Sequence, residues 1–279
     1  MKNLKLRDAV YGFCLGDALG VPYEFRKRGS FEAKDMVGYG SHEMPEGTWS
    51  DDSSMMLATC LSIKINGKLD LEDIMKKFWL WYDKGYYTPF GECFDVGITT
   101  ANVLRNYGDR GETLPEKSFY SNGNGSLMRI LPLIFLPVTK SDIYKTSALT
   151  HGHEISLMAC QLYVEIGKKL LKGEDLAQIL KNLKLDEVFF RLSSLQALPE
   201  EEIKSSGYVV DSLEACLWSI LKSKSYEETV LRAVNLGEDT DTIAALAGGL
   251  AGIIYGYDSF PESWLNKLKG KDFIESCLF

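Results

Sequence analysis

Apolar residues recur at intervals of three and four over most of the chain. In "LEDIMKKFWLWYDKG" (71–85) this spacing puts Ile74, Phe78 and Trp81 on one face, and in "GYVVDSLEACLWSILKS" (207–223) it does the same for Leu213, Leu217 and Ile220. "EISLMACQLYVEIGKKLLKG" (154–173) continues the pattern, with lysines in its last turns and a stop at Gly173. The alternation expected of strands is hard to find, so the pattern predicts an all-α protein of roughly ten or more helices. The longest apolar run, 243–257, is short for a bilayer and rich in Gly and Ala, which predicts a buried helix and no membrane association. Gly12, Gly16 and Gly20 recur every four residues, as do Gly248, Gly252 and Gly256. Glycine inside a helix costs about 1 kcal/mol relative to Ala. Six of them imply close backbone approach between helices at the centre of the fold, with the two stripes packed against each other as one such arrangement.

Composition narrows the class. With 279 residues, 45% hydrophobic and 25% charged, the chain can bury a large core. No linker or fixed-period repeat divides it, so it is read as a single domain over 1–279. The basic N-terminus is followed by apolar residues, but Asp8 and Asp17 interrupt any signal-peptide core. Six cysteines lie far apart with no C-x-x-C pair, which argues against a zinc ribbon or a disulfide scaffold and fits reduced thiols in a cytoplasm. A net charge of −8 opposes general nucleic-acid binding, and an anionic ligand would need local neutralisation.

Two polar clusters stand immediately before apolar runs: "GTWSDDSSMML" (47–57) and "GEDTDTIAALAGGLAGIIYG" (237–256). Each alone fits helix capping, with Ser50 as an N-cap and Asp51 and Asp52 in a first turn, and with Asp239 to Thr242 opening the next helix. The helix after the second cluster, however, is apolar all round, so its mouth is expected to be deep. Carboxylates gathered there must take up protons, pair with bases or bind cations, and Arg232 is the only base near in sequence. If the two mouths meet, Ser50, Asp51 and Asp52 face Asp239, Asp241 and Thr242. An all-oxygen set of this size suits two Mg²⁺ or Mn²⁺ ions; calcium is a second candidate for such ligands, although the D-x-D-x-D-G spacing of an EF-hand loop is absent.

At this point the chain resembles the ADP-ribosylglycohydrolase family. "GDALGVPYEF", "GTWSDDSSMM", "CFDVGITT", "GNGSLMRILPL", the "TH" of Thr150 and His151, "GYVVDSLEA" and "GEDTDTIAALAGGLAG" occur in the family's order across nearly the whole sequence. The resemblance implies a compact, orthogonal multi-helix all-α fold with a binuclear Mg²⁺ or Mn²⁺ centre on the same six residues; Ser50 stands where Thr is common. It also implies hydrolysis of the N- or O-glycosidic bond between ADP-ribose and an acceptor, on a modified protein or a small molecule. By resemblance, Glu24 and Asp95 are the candidate catalytic carboxylates, and Asn124, Gly125 and Ser126 contact ADP-ribose, with His151 beside them.

Each of these residues also has a plainer reading. Glu24 follows Pro22 in an apparent loop and could be solvated there, and Asp95 could cap "VGITTANVL". "SNGNGSLMR" (121–129) could be an ordinary Asn-Gly turn, although two glycines and the positive end of a following helix would suit a pyrophosphate. His151 and His153 lack the further ligands of a zinc site, and His153 receives no role. The remaining functional alternatives are a two-metal phosphohydrolase and a family member that binds ADP-ribose, or serves a structural role, without turnover.

Overall fold

The computed structural model describes residues 2–279. Among them the regular structure is helical: α1 (Lys2–Gly20), α2 (Asp51–Asn66), α3 (Leu71–Lys84), α4 (Ile98–Arg110), α5 (Lys140–Ser147), α6 (Glu154–Leu170), α7 (Leu176–Asn182), α8 (Val209–Leu221), α9 (Tyr226–Asn235), α10 (Thr240–Tyr255), α11 (Glu262–Lys267) and α12 (Lys271–Cys277). 3₁₀ segments, the longest Glu187–Ala197, and three isolated β-bridges make up the rest of the ordered backbone, with no sheet among the described residues. The fold is therefore all-α, as the apolar spacing predicts. No helix among the described residues is long and apolar enough to cross a membrane.

Local chemistry sets the helix ends. Asp70 accepts a hydrogen bond from the Asp73 N–H to open α3, and Gly85 takes a left-handed conformation (φ +66°) to close it. The helix read as running to Gly173 ends at Leu170. There the Leu171 N–H returns to the Gly167 carbonyl, and Gly173 adopts φ +81° two residues later.

The centre of the molecule is the antiparallel crossing of α1 and α10, where the two glycine stripes meet. A Cβ on Gly12 would enter the Gly248 carbonyl, one on Gly16 the Ala244 backbone, one on Gly20 the backbone of Thr240 and Asp241, and one on Gly252 the Asp8 carbonyl. Every residue of α10 from Thr240 to Ile253 is buried, so the contact lies inside the core. Hydroxyls clip the crossing: Tyr226 Oη donates to the Gly12 carbonyl (2.7 Å), Tyr163 Oη to Leu246 (2.9 Å) and Thr240 Oγ1 to Gly20 (2.8 Å). Gly256 departs from the stripe; it caps α10 at φ +80°, a conformation few other residues tolerate. Pairing Gly20 with Asp241 sets the C-terminal end of α1 beside the N-terminal mouth of α10.

A second apolar cluster, with Met55 and Ala58 of α2, Ile74, Phe78 and Trp81 of α3, and Val103 and Leu104 of α4, docks α3 and α4 onto α2 and carries the segment that holds Asp95.

Gly16→Ala is expected to destabilise the protein by about 1–3 kcal/mol, because the new methyl must push two packed backbones apart. Urea unfolding followed by circular dichroism measures it. A midpoint equal to that of the unaltered protein would mean that α1 and α10 do not touch through their glycines.

Candidate active site

Asp17 brings the second polar cluster to the first. It is fully buried on α1; its Oδ1 accepts from the Ser50 N–H (2.9 Å) and its Oδ2 from the N–H and hydroxyl of Ser53 (2.9 and 2.6 Å). A carboxylate in this position satisfies the free N–H groups and the positive end of α2. Because α1 is also locked to α10, the mouths of α2 and α10 converge. They touch where Thr242 Oγ1 donates to Asp52 Oδ2 (3.2 Å), which also accepts from Ser50 Oγ (3.3 Å).

Capping accounts for only part of this. Ser50 does cap α2, accepting from the Asp52 N–H at 3.4 Å. Asp239 occupies the N-cap position of α10 but makes no capping bond; its Oδ2 instead accepts from Asn124 Nδ2 (2.6 Å). Asp52 Oδ1 and Asp241 Oδ2 are buried with no hydrogen-bond partner among the described residues. Among the described residues no lysine or arginine pairs with them: Arg232 pairs with Glu228 (3.0 Å) and Ser223 (3.1 Å). Burial, reinforced by neighbouring carboxylates, pushes the Asp51, Asp52 and Asp241 carboxyls well above the usual range, and burial raises Asp17 and Asp239 to about 6. Buried orphan oxygens, an all-oxygen donor set and the lack of bases fit hard divalent cations. Asp51, Asp239 and Thr242 face a cleft of about 730 Å³, and Asp52 and Asp241 lie behind them.

Glu24 is not a solvated loop carboxylate. It is buried at the end of the 3₁₀ turn Val21–Tyr23, with an oxygen within 4.8 Å of carboxylate oxygens of Asp239 and Asp241. Burial, then the charges of Asp95 and Asp239, raise its pKa to about 10. His42 Nε2 contacts Glu24 Oε2 and lies 3.9 Å from Asp95 Oδ1, with its ring between Phe25 (5.8 Å) and Phe94 (5.4 Å). Nor does Asp95 cap a helix: α4 begins after Gly97, and no side chain caps it. Asp95 takes φ +56°, and Phe25, Glu43 and Glu238, each next to a site residue, also have positive φ. Such backbone persists only where surrounding contacts impose it, which is common at functional sites. Here the Phe25 N–H donates to Glu238 O (2.7 Å) and the Glu238 N–H to Arg26 O (2.8 Å), stitching the segment of Glu24 to that of Asp239.

The far wall of the cleft holds Gly123, Asn124, Gly125 and His151, with Tyr120 exposed beside them. Asn124 reaches across to Asp239 and to Ser212 Oγ (2.9 Å). Ser126 differs from its expected place: its hydroxyl is buried away from the cleft, against Ser147 Oγ (2.9 Å) and Cys160 Sγ (3.5 Å). The helix expected after the Asn-Gly turn is also missing. Met128 closes one turn onto Asn124, and Pro132, which has no N–H to continue it, restarts the chain as the 3₁₀ turn Leu131–Phe135. His151 is buried, and burial together with the Arg129 charge lowers its pKa to about 3. His153 acquires a structural role, its ring accepting from the Ile155 N–H to cap α6 (3.3 Å). Asp17 and His42 are the site residues to which sequence reasoning assigned no role. A carboxylate within the glycine stripe of an apolar helix is a signal for the first; the three-residue 3₁₀ turn Gly40–His42 offers none for the second.

The raised carboxyls set a pH dependence. Asp17 and Asp239 bind protons more tightly when folded (about 6, against an ordinary 3.8), so the stability they confer is present at low pH and is lost as pH rises from about 4 through 6. Chelator-treated protein is therefore expected to melt higher at pH 5 than at pH 8, and millimolar Mg²⁺ or Mn²⁺ to raise the pH 8 melting temperature by several degrees. Differential scanning calorimetry checks both; a higher melting temperature at pH 8 with no response to either cation would contradict them.

The sequence model of the ADP-ribosylglycohydrolase family matches residues 2–278. The chain is 34% identical over 278 residues to the ADP-ribosylarginine hydrolase Tri1 of Serratia proteamaculans (strain 568), covering 95% of this chain and 75% of that protein. It is 30% identical over 273 residues to the ADP-ribosyl-[dinitrogen reductase] glycohydrolase of Rhodospirillum rubrum, covering 94% and 90%. Its fold superposes on a solved ADP-ribosylglycohydrolase-related protein complex with a TM-score of 0.84 at 29% identity, over 99% of this chain and 96% of that one. With the match running from the first helix to the last, the chain belongs to the ADP-ribosylglycohydrolase family.

Proposed function

We propose that the protein is a divalent-cation-dependent hydrolase that cleaves the glycosidic bond between ADP-ribose and its acceptor, with the cytoplasm as its expected compartment. One observation supports this most: the oxygen side chains of two helix mouths meet, with no lysine or arginine paired to them among the described residues, at the end of a cleft that also carries two non-capping carboxylates, Glu24 and Asp95. Ser50, Asp51, Asp52, Asp239, Asp241 and Thr242 would hold two Mg²⁺ or Mn²⁺ ions. When bound, these would neutralise the carboxylates, attract ribose hydroxyls and acidify water.

The chain's own residues supply the rest. Asn124 holds Asp239 in orientation, and the Gly123–Gly125 wall with His151 faces the diphosphate. Glu24 and Asp95 stand where charge develops on the anomeric carbon. Asp95 accepts a proton from the attacking water as its oxygen bonds to that carbon, the bond to the acceptor breaks with its electron pair leaving on the acceptor atom, and the carboxyl of Glu24, which burial keeps protonated, gives its proton to that atom. For the acceptor we favour arginine. The related Serratia protein carries that specificity in its name, and a cleft also lined by Asp95 and Glu116 suits a guanidinium.

Chromatography of reactions with arginine-linked ADP-ribose is expected to show intact ADP-ribose released with Mg²⁺ or Mn²⁺ and none with EDTA; release of AMP or phosphate would point to a phosphohydrolase instead. Asp241→Asn should lower the rate at least 100-fold and weaken cation binding while leaving the helical circular-dichroism spectrum intact. Glu24→Gln should slow turnover by about 10²–10⁴-fold with cation affinity retained. An unaltered rate in either variant would remove that residue from its assigned role.

A further inference from the structure

Arg129 is a completely buried guanidinium with no ion-pair partner among the described residues. Its Nη1 donates to the Thr146 carbonyl (3.0 Å) and its Nη2 to that of Ser147 (3.3 Å), the last two residues of α5, and the group stacks 4.7 Å over Phe78. Carbonyls at the negative end of a helix offset a buried cation, so these contacts alone would describe a structural cap. A third contact goes further. Arg129 Nη2 also donates to Thr150 Oγ1 (2.9 Å), and that oxygen lies 2.8 Å from His151 Nδ1.

The proton count along this chain has one good solution. A guanidinium only donates, so Thr150 Oγ1 accepts from it. The Thr150 hydroxyl then has one proton to place, and among the described residues His151 Nδ1 is its remaining partner. An N–H on Nδ1 would strand that hydroxyl proton in a dry interior, at a cost comparable to a lost hydrogen bond. Nδ1 therefore accepts, and Nε2 carries the hydrogen. A nearby guanidinium and complete burial both disfavour an imidazolium.

The Nε2 side of the ring sits against the Asn-Gly turn. A Cβ on Gly125 would meet His151 Cε1 at 2.8 Å and Nε2 at 3.3 Å, and one on Gly123 would lie 3.8 Å from Nε2. Nε2 has no hydrogen-bond partner among the described residues, and the ring lines the cleft. We propose that Arg129, acting through Thr150, is a positioning residue that holds His151 as the neutral Nε2–H tautomer, so that one N–H is presented to an oxygen of the ADP-ribose moiety at the Gly123–Gly125 turn. The ligand rests on the function proposed above; the tautomer rests on the hydrogen bonds alone.

The two parts can be tested separately on the full chain. Only three histidines are present, so a long-range ¹H–¹⁵N imidazole spectrum, assigned with His151→Gln, reads the tautomer directly. The expected pattern for the wild type is a neutral Nε2–H ring; an Nδ1–H ring or an imidazolium at pH 7 overturns the proposal with no variant needed. Thr150→Val is expected to mix the tautomers and to weaken binding of ADP-ribose, measured by calorimetry, about tenfold, with Thr150→Ser restoring both. A pure Nε2–H pattern in the Val variant would show that packing, not the relay, orients the ring. Failure of the wild type to bind ADP-ribose would overturn the ligand assignment and the functional reading while leaving the tautomer result standing.

Discussion

The backbone-to-backbone crossing of α1 and α10 is the constraint from which the site follows. Two helices separated by ordinary side chains could slide or rotate by a residue with little penalty. Glycines at Gly12, Gly16 and Gly248 let carbonyl groups seat into the opposite helix, so the register of Gly20 against Asp241 is set by hard contact. That register puts the end of one helix beside the start of the other. Asp17, one turn before the end of α1, then draws in a third helix by capping α2. Three helix ends are thereby assembled from interactions that lie wholly in the core, and the polar side chains they carry have no freedom to disperse.

That assembly is unfavourable for stability on its own terms. Asp17, Asp51, Asp52 and Asp241 are buried together, near Glu24 and the half-buried Asp239, and two of the fully buried oxygens, Asp52 Oδ1 and Asp241 Oδ2, make no hydrogen bond among the described residues. Helix dipoles and backbone N–H groups offset a part, most clearly at Asp17, whose hydrogen bonds oppose the upward pull of burial on its pKa. The remainder must be met by protons or cations. The surrounding backbone is held just as firmly, by the paired strained segments at Phe25 and Glu238 and by Arg28, which donates to the carbonyls of Leu236 (2.9 Å) and Glu200 (2.7 Å). A rigid frame that preserves an uncomfortable cluster is the arrangement expected of a site that pre-organises charge for a reaction.

Much of this was legible in the chain itself, and the failures have physical causes. Periodicity located the helices because their buried faces are long and regular, and the cost of glycine in a helix pointed to the crossing. The two polar clusters could be joined because an all-apolar helix implies a buried mouth. Gly256 fits the same four-residue period yet ends the helix, since spacing carries no information about where a cap falls. Asn-Gly followed by apolar residues suggests a helix after Asn124, but Pro132 cannot continue one, and the inward turn of Ser126 depends on Ser147 and Cys160, which are remote in sequence. His42 ends the short 3₁₀ turn Gly40–His42, and nothing in the order of residues shows that this turn folds back onto Glu24.

The central claim, that the convergent mouths of α2 and α10 form a binuclear cation centre, is tested most directly by anomalous diffraction from crystals grown with Mn²⁺. Two manganese peaks enclosed by Ser50, Asp51, Asp52, Asp239, Asp241 and Thr242 are the expected result. Absence of peaks there at saturating Mn²⁺, or a single peak held instead by Glu24, His42 and Asp95, would contradict it.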